Sequence, residues 1–247
     1  MASYTVTATA TNNTFDGGLL QVEVLDNAAV AASPATGSST TAYNCSVSTT
    51  TDGSYVFGVA YNASAQTTFT AESNCTKLTD YSNATSQCEY ATFRTTNTTS
   101  GTPGATTVGF STAFATYYGA CAMEILASGG TLTIDGSSPA AVDSATATSF
   151  TTASFSPPGG TVLVAMFAVT GNFSAATCAG TVSSTPSLTW TQRVAVTSNV
   201  GGVSSCIGVW TAVVPAAAVA SAPPQALVQP PVVVASVSGW RNAGHSR

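Results

Sequence analysis

The sequence predicts an all-β protein, with two sandwich-like domains followed by an extended arm, and three observations carry that prediction. Short runs alternate β-branched or aromatic residues with small polar ones, at the two-residue period of a strand. Gly, Pro, Asn and Asp punctuate those runs at near-regular spacing, as in β-sandwiches and jelly rolls. Only 6% of the residues are charged while 44% are hydrophobic. A disordered chain has the opposite balance. No long stripe of period 3.6 appears, so helix is expected in less than about one-tenth of the chain.

The strands follow in order. Tyr4-Thr5-Val6-Thr7-Ala8-Thr9 opens with strict alternation. The turn Asp16-Gly17-Gly18 leads into a strand at 19–25. Strands at 43–49 and 54–61 flank Asp52-Gly53, and strands at 89–95 and 106–110 flank Pro103-Gly104. In the next, at 119–126, Gly119, Cys121, Met123 and Ile125 fall on one face, and Ala120, Ala122, Glu124 and Leu126 on the other. Ser128-Gly129-Gly130 breaks the pattern. A short run at 131–134, the turn Asp135-Gly136 and a Ser/Ala/Thr stretch follow. Further strands are expected at 149–155, 161–169, 188–197 and 206–214.

This punctuation divides the chain into a β-sandwich domain at 1–127, a linker at 128–143, a second sandwich or jelly-roll-like domain at 144–215, and an arm at 216–247. An internal repeat supports two related domains. Residues 53–60 (GSYVFGVA) line up with 160–167 (GTVLVAMF). Cys75-Thr76-Lys77-Leu78 falls near Ser187-Leu188-Thr189-Trp190, and Cys88 near Cys206. Trp190 and Trp210 lie on patterned strands of the second domain and are expected to anchor its core. That domain runs short of strands after Val214, which leaves a sheet edge as a template for another strand. The arm holds the proline pairs Pro223-Pro224 and Pro230-Pro231, which keep it extended. It offers Val232, Val233, Val234 and Val237, with Trp240 beyond, as an assembly segment that adds a strand to a neighbouring subunit.

Chemistry-bearing residues are scarce. Net charge is −5, and Lys77, Arg94, Arg193, Arg241 and Arg247 are scattered, so no stripe exists to neutralise nucleic-acid phosphates. There is no P-loop, dinucleotide fingerprint or nucleophile elbow, and no cofactor is expected. The single histidine, His245, lies in a polar tail. The six cysteines (Cys45, Cys75, Cys88, Cys121, Cys178 and Cys206) form no CxxC pair, which argues against zinc. Buried thiols and disulfides both remain open for them. Ten acids could build a glycosidase pair, yet most stand in turns, where Asp caps its own backbone. Glu124 lies in an apolar strand and needs a partner, for which Arg94 is the candidate. Tyr117 and Tyr118 are adjacent on a strand, so one ring can face out and bind a surface ligand such as a glycan. The N-x-[ST] sequons at Asn12, Asn44, Asn62, Asn74, Asn83, Asn97 and Asn172 are expected to stay unused without a secretory signal. The start lacks the charged and apolar regions of a signal peptide. No apolar run is long enough to cross a bilayer, so no membrane insertion is expected.

One stretch carries a family resemblance. Residues 154–164 (SFSPPGGTVLV), then 188–193 (LTWTQR) and 207–215 (IGVWTAVVP), resemble β-sandwich virion proteins, of minor tail or decoration type, of tailed phages infecting actinobacteria. The likeness covers about 149–215, with a fainter one over 53–126. It departs from the family after Pro215, where closing strands usually follow. The resemblance implies a non-enzymatic structural protein on the virion exterior, made in the host cytoplasm and present in many copies. A minor tail protein leads, with a capsid decoration protein as alternative. Its implied partners are other virion proteins, copies of itself and a host cell-surface glycan. The rival readings are a carbohydrate-binding adhesin and a glycan depolymerase.

Overall fold

The computed structural model describes residues 2–10, 15–62, 68–83, 88–96, 104–111, 118–171, 180–200 and 203–216, and no helix occurs among them. The protein is all-β. Residues 1–217 form one compact unit. The arm residues Val232, Val233, Val234, Val237 and Trp240 lie outside the described residues.

Seventeen strands lie among the described residues of this unit. They are β1 (Thr5–Ala10), β2 (Phe15–Asp26), β3 (Ala28–Ala29), β4 (Thr36–Ser39), β5 (Asn44–Ser48), β6 (Tyr55–Asn62), β7 (Cys75–Asn83), β8 (Cys88–Thr95) and β9 (Ala105–Gly109). Then come β10 (Tyr118–Ala127), β11 (Thr133–Ile134), β12 (Val142–Ser144), β13 (Ser149–Thr151), β14 (Val162–Gly171), β15 (Gly180–Thr185), β16 (Thr191–Val200) and β17 (Val203–Val213). Two six-stranded sheets form the middle. One runs β11-β2-β14-β17-β16 with β12 also on β2, and the other β3-β10-β6-β8-β7 with β4 also on β10. The small sheet β13-β1-β15 and the pair β5-β9 complete the set.

Three hydrophobic cores separate four layers. The central core joins the inner faces of the large sheets, with Phe57, Met123 and Ile125 against Val164, Met166 and Ile207. A second core lies between the small sheet and the first large sheet, from Val6 and Phe150 to Phe167 and Trp210. A third lies between β5-β9 and the second large sheet, where Tyr43, Phe69, Phe93 and Phe110 pack over small Ala60, Ala91, Ala120 and Ala122. The large sheets are therefore covered on both faces. That is why β14 reads as the unbroken run VLVAMFAV and is buried at every position. The face assignment of residues 119–126 follows the alternation, with Cys121, Met123 and Ile125 in the central core and Ala120 and Ala122 in the third.

The pairing corrects the expected domain division. Strand β2, expected in a first domain at 1–127, pairs along its length with β14, from Leu25↔Val162 to Leu19↔Ala168. Strand β1 pairs with β13 and β15. The expected linker at 128–143 supplies β11, and β12 begins within it; both lie on β2. The physical cause is the apolar β14, which needs a neighbour on each edge. Strand β17 takes one edge and the Leu19–Leu25 segment, apolar but for Gln21 and Glu23, the other. The edge left open by the shortage of strands after Val214 is thus filled by the first strands of the same chain.

The internal repeat reappears in the topology. Strands β6, β8 and β7 lie side by side in that order, and so do β14, β17 and β16. Pairs β5·β9 and β6·β10 correspond to β13·β1 and β14·β2. Short strands β3 and β4 flank β10 as β11 and β12 flank β2. Even the β-bulges match: the extra residue is Leu78 beside Phe93 in one repeat, and Arg193 beside Trp210 in the other. One repeat is therefore β3–β10, continuous in sequence. The other is β11–β17 closed by β1 and β2, a circular permutation. The structural register agrees with the sequence alignment at 53–60, where Gly58, opposite Phe93, matches Ala165, opposite Trp210; it departs from it by one residue at Phe93 and by three at Leu78, which matches Arg193.

Candidate functional site

The acids are taken up by the fold. Glu124, fully buried on β10, accepts from the 50–54 turn. Thr50 N donates to both carboxylate oxygens at 2.9 and 3.0 Å, Thr50 Oγ1 at 2.7 Å, Thr51 N at 3.2 Å and Ser54 Oγ at 2.7 Å. Arg94, the expected partner, is elsewhere. Its Nη1 donates to Thr95 O and Thr96 O, and its guanidinium lies 5.1 Å from the Tyr55 ring centre. A carboxylate anchoring a turn needs several N–H and O–H donors rather than one cation. The turn role holds for Asp52 and Asp135, whose Oδ1 atoms accept from Gly53 N at 2.9 Å and Ser137 N at 2.8 Å. Lys77 pairs with Asp80.

Two acids have raised proton affinity. Glu23 points from β2 into the central core, and burial lifts its carboxyl above the usual range. Hydrogen bonds from Ser138 and Gln21, and the charge of Arg94, pull it partly back. Asp26 is raised by burial and by neighbouring Asp135, while Asp135 is lowered by its bonds to Ser137. These two carboxyls are in hydrogen-bond contact. The carboxyls of a glycosidase stand about 5–9.5 Å apart, with the sugar bond between them.

The cysteines divide. Cys45, Cys75, Cys88 and Cys121 are buried and not disulfide-bonded, and Cys206 is disulfide-bonded. Burial, with Cys75 nearby, pushes the Cys45 thiol up to about 12, and burial also raises Cys75 and Cys121. Thiols held protonated in this way are poor nucleophiles and poor metal ligands. Among the described residues, no group of three or more His, Cys, Asp and Glu is placed to hold a metal ion.

The aromatic candidates also belong to packing. Tyr118 lies against Tyr43, with ring centres 4.9 Å apart, at the edge of the third core. Tyr117 lies outside the described residues. Trp210 is 4% exposed in the second core, as expected of an anchor. Trp190 is half-buried at the margin of that core and donates to Ser184 Oγ at 3.2 Å. The sequons at Asn62 and Asn83 are buried and those at Asn44 and Asn74 hydrogen-bonded. Asn12, Asn97 and Asn172 lie outside the described residues.

Two surface features were not singled out by the sequence. The first is the outer face of β13-β1-β15. Thr5, Thr7, Thr9, Ser149, Thr151, Thr181, Ser183 and Thr185 occupy its outward positions, and these three strands carry no charged residue. Neighbouring hydroxyls bond across strands, Thr7 to Thr151 at 2.9 Å and Thr9 to Ser149 at 3.2 Å. The alternation of Thr with Val and Ala was its signal, readable once a face is known to lie outside. The second is a groove of about 340 Å³ at the ends of β16 and β17, lined by Ser187, Leu188, Thr189, Thr191, Arg193, Thr211, Ala212, Val213 and Pro215. Its residues come from two chain segments, 187–193 and 211–215, and only the bulge on edge strand β16 brings Arg193 to Thr211.

No family model, no curated protein and no solved structure matches this chain.

Proposed function

We propose that the protein is a non-enzymatic structural component of the exterior of a tailed-phage virion, a minor tail protein, assembled in many copies through contacts between subunits. The observation that carries the reading is the charge-free hydroxyl face of β13-β1-β15. Such a face packs against a copy or another virion protein without stripping water from ions, the costly step in burying charge. The engaged acids and the protonated thiols fit a scaffold rather than a catalyst. The segment 216–247 is the proposed second assembly element.

Quantitative mass spectrometry of gradient-purified particles of a phage encoding the chain tests this. The chain should be present in many copies per particle. Thr7→Lys, which places a charge on the face, should reduce incorporation while leaving the monomer folded. Deletion of 216–247 should do the same. Recovery of the chain only from the soluble lysate, with particles free of it, overturns the reading.

A further inference from the structure

Three cations stand among the described residues, and two are occupied. Lys77 is paired with Asp80, and Arg94 is held by the Thr95 and Thr96 carbonyls and the Tyr55 ring. Arg193 differs. Its Nε donates to Thr211 Oγ1 at 2.8 Å, and among the described residues no carboxylate pairs with it. The remaining guanidinium donors belong to a side chain that lines the groove. Thr211 is buried, so the oxygen that orients the guanidinium is fixed by the sheet.

The rest of the lining is suited to a polyol. Ser187, Thr189, Thr191 and Thr211 bring hydroxyls that both donate and accept. Leu188, Val213 and Pro215 add apolar surface, and Val213 is 57% exposed. No acid lines the groove, so nothing there repels an anion. The sister repeat shows that the bulge itself does not need a cation. Its extra residue is Leu78, which folds onto the central core.

We infer that this groove binds an anionic sugar unit, with the Arg193 guanidinium gripping its carboxylate or phosphate and the surrounding hydroxyls bonding its ring or chain oxygens. Arginine presents a planar fork that takes either anion through two parallel hydrogen bonds. Thr211 is a positioning residue, and Thr189 and Thr191 give sugar contacts. The site is independent of the virion reading and separate from the tyrosines expected to face a glycan.

Nuclear magnetic resonance titration of the full chain tests it, with glucuronate, glycerol 3-phosphate and neutral glucose as probes. Glucuronate or glycerol 3-phosphate should shift the amides of residues 187–193 and 211–215, and the tighter of the two identifies the anion. Glucose should bind at least about tenfold more weakly. Arg193→Gln should weaken the anion by about tenfold or more, and Arg193→Lys by less, since a single ammonium keeps the charge without the fork. Thr211→Val keeps the strand shape, should leave the amide spectrum folded, and should weaken binding while Arg193 remains. Equal binding of glucose and both anions overturns the inference. So does no shift from either anion up to roughly 10 mM, or an Arg193→Gln variant with unchanged affinity, which would leave Arg193 as a charge guarding a sheet edge.

Discussion

The two repeats differ in how each is closed. In β3–β10 the closing strands β9 and β10 follow β8 through residues 96–104. In β11–β17 no corresponding strand follows β17 among the described residues, and β1 and β2 supply the pairing from the beginning of the sequence. Tyr4, just before β1, and Val214, just after β17, belong to the same core. The lesson is that a sheet edge selects a strand by pattern and reach, not by sequence order. Strand β2 offers the apolar face that β14 requires, and it offers it near enough to be captured.

The largest expected effect comes from breaking that closure. Deleting residues 1–26 removes β1 and β2 and opens two cores at once. The truncated chain should lose its dispersed amide spectrum. Attaching residues 3–26 after Val214, through a linker the length of 96–104, to a chain starting at Ala28 should restore it. If the truncated chain stays folded, the second repeat does not depend on strands from the first residues.

Matched core positions come next. Trp210 and Phe93 lie at equivalent places, buried in the second and third cores. Each, changed to Ala, should cost about 3–5 kcal/mol in urea unfolding. Trp190→Ala, at a half-buried site, should cost about 1–2 kcal/mol. A loss below about 1 kcal/mol at Trp210 would mean that its ring is not an anchor.

Glu124→Leu should cost about 3 kcal/mol, because it strands the Thr50, Thr51 and Ser54 donors inside the protein. Glu124→Gln should cost less, since one oxygen still accepts. Equal stability of all three proteins would remove the carboxylate as the anchor of the turn.

The smallest effect separates Glu23 from its counterpart Met123, opposite Phe57 as Glu23 is opposite Val164. Burial raises the folded-state pKa of Glu23 above its ordinary 4.5. Its contribution is therefore fully present below about pH 4.5 and is lost as pH rises through the folded value. Glu23→Met should stabilise the protein by about 1 kcal/mol at pH 7, and the gain should shrink on acidification toward pH 4. A gain that grows as pH falls would reverse the assignment.

The sequence by itself determined the all-β class, most of the longer strands, the inward face of β10, the role of Trp210 and the kinship of the two halves. Each rests on local pattern, because a strand's two-residue period and the Gly-rich turns are written in consecutive residues. Strand β7 escaped, as TKLTDYS carries charges suited to a sheet edge. The short β3, β4 and β12 escaped because two to four residues hold no period. Partnership was decided only by the tertiary structure. Antiparallel pairing leaves no mark of which distant strand lies alongside, so β2 read as part of the first domain. Glu124 likewise read as a partner for a cation, since the donors that saturate it are backbone N–H groups and hydroxyls of a turn some seventy residues away. The Arg193 groove is the same case. Two segments converge there, and only the folded bulge places the guanidinium against Thr211.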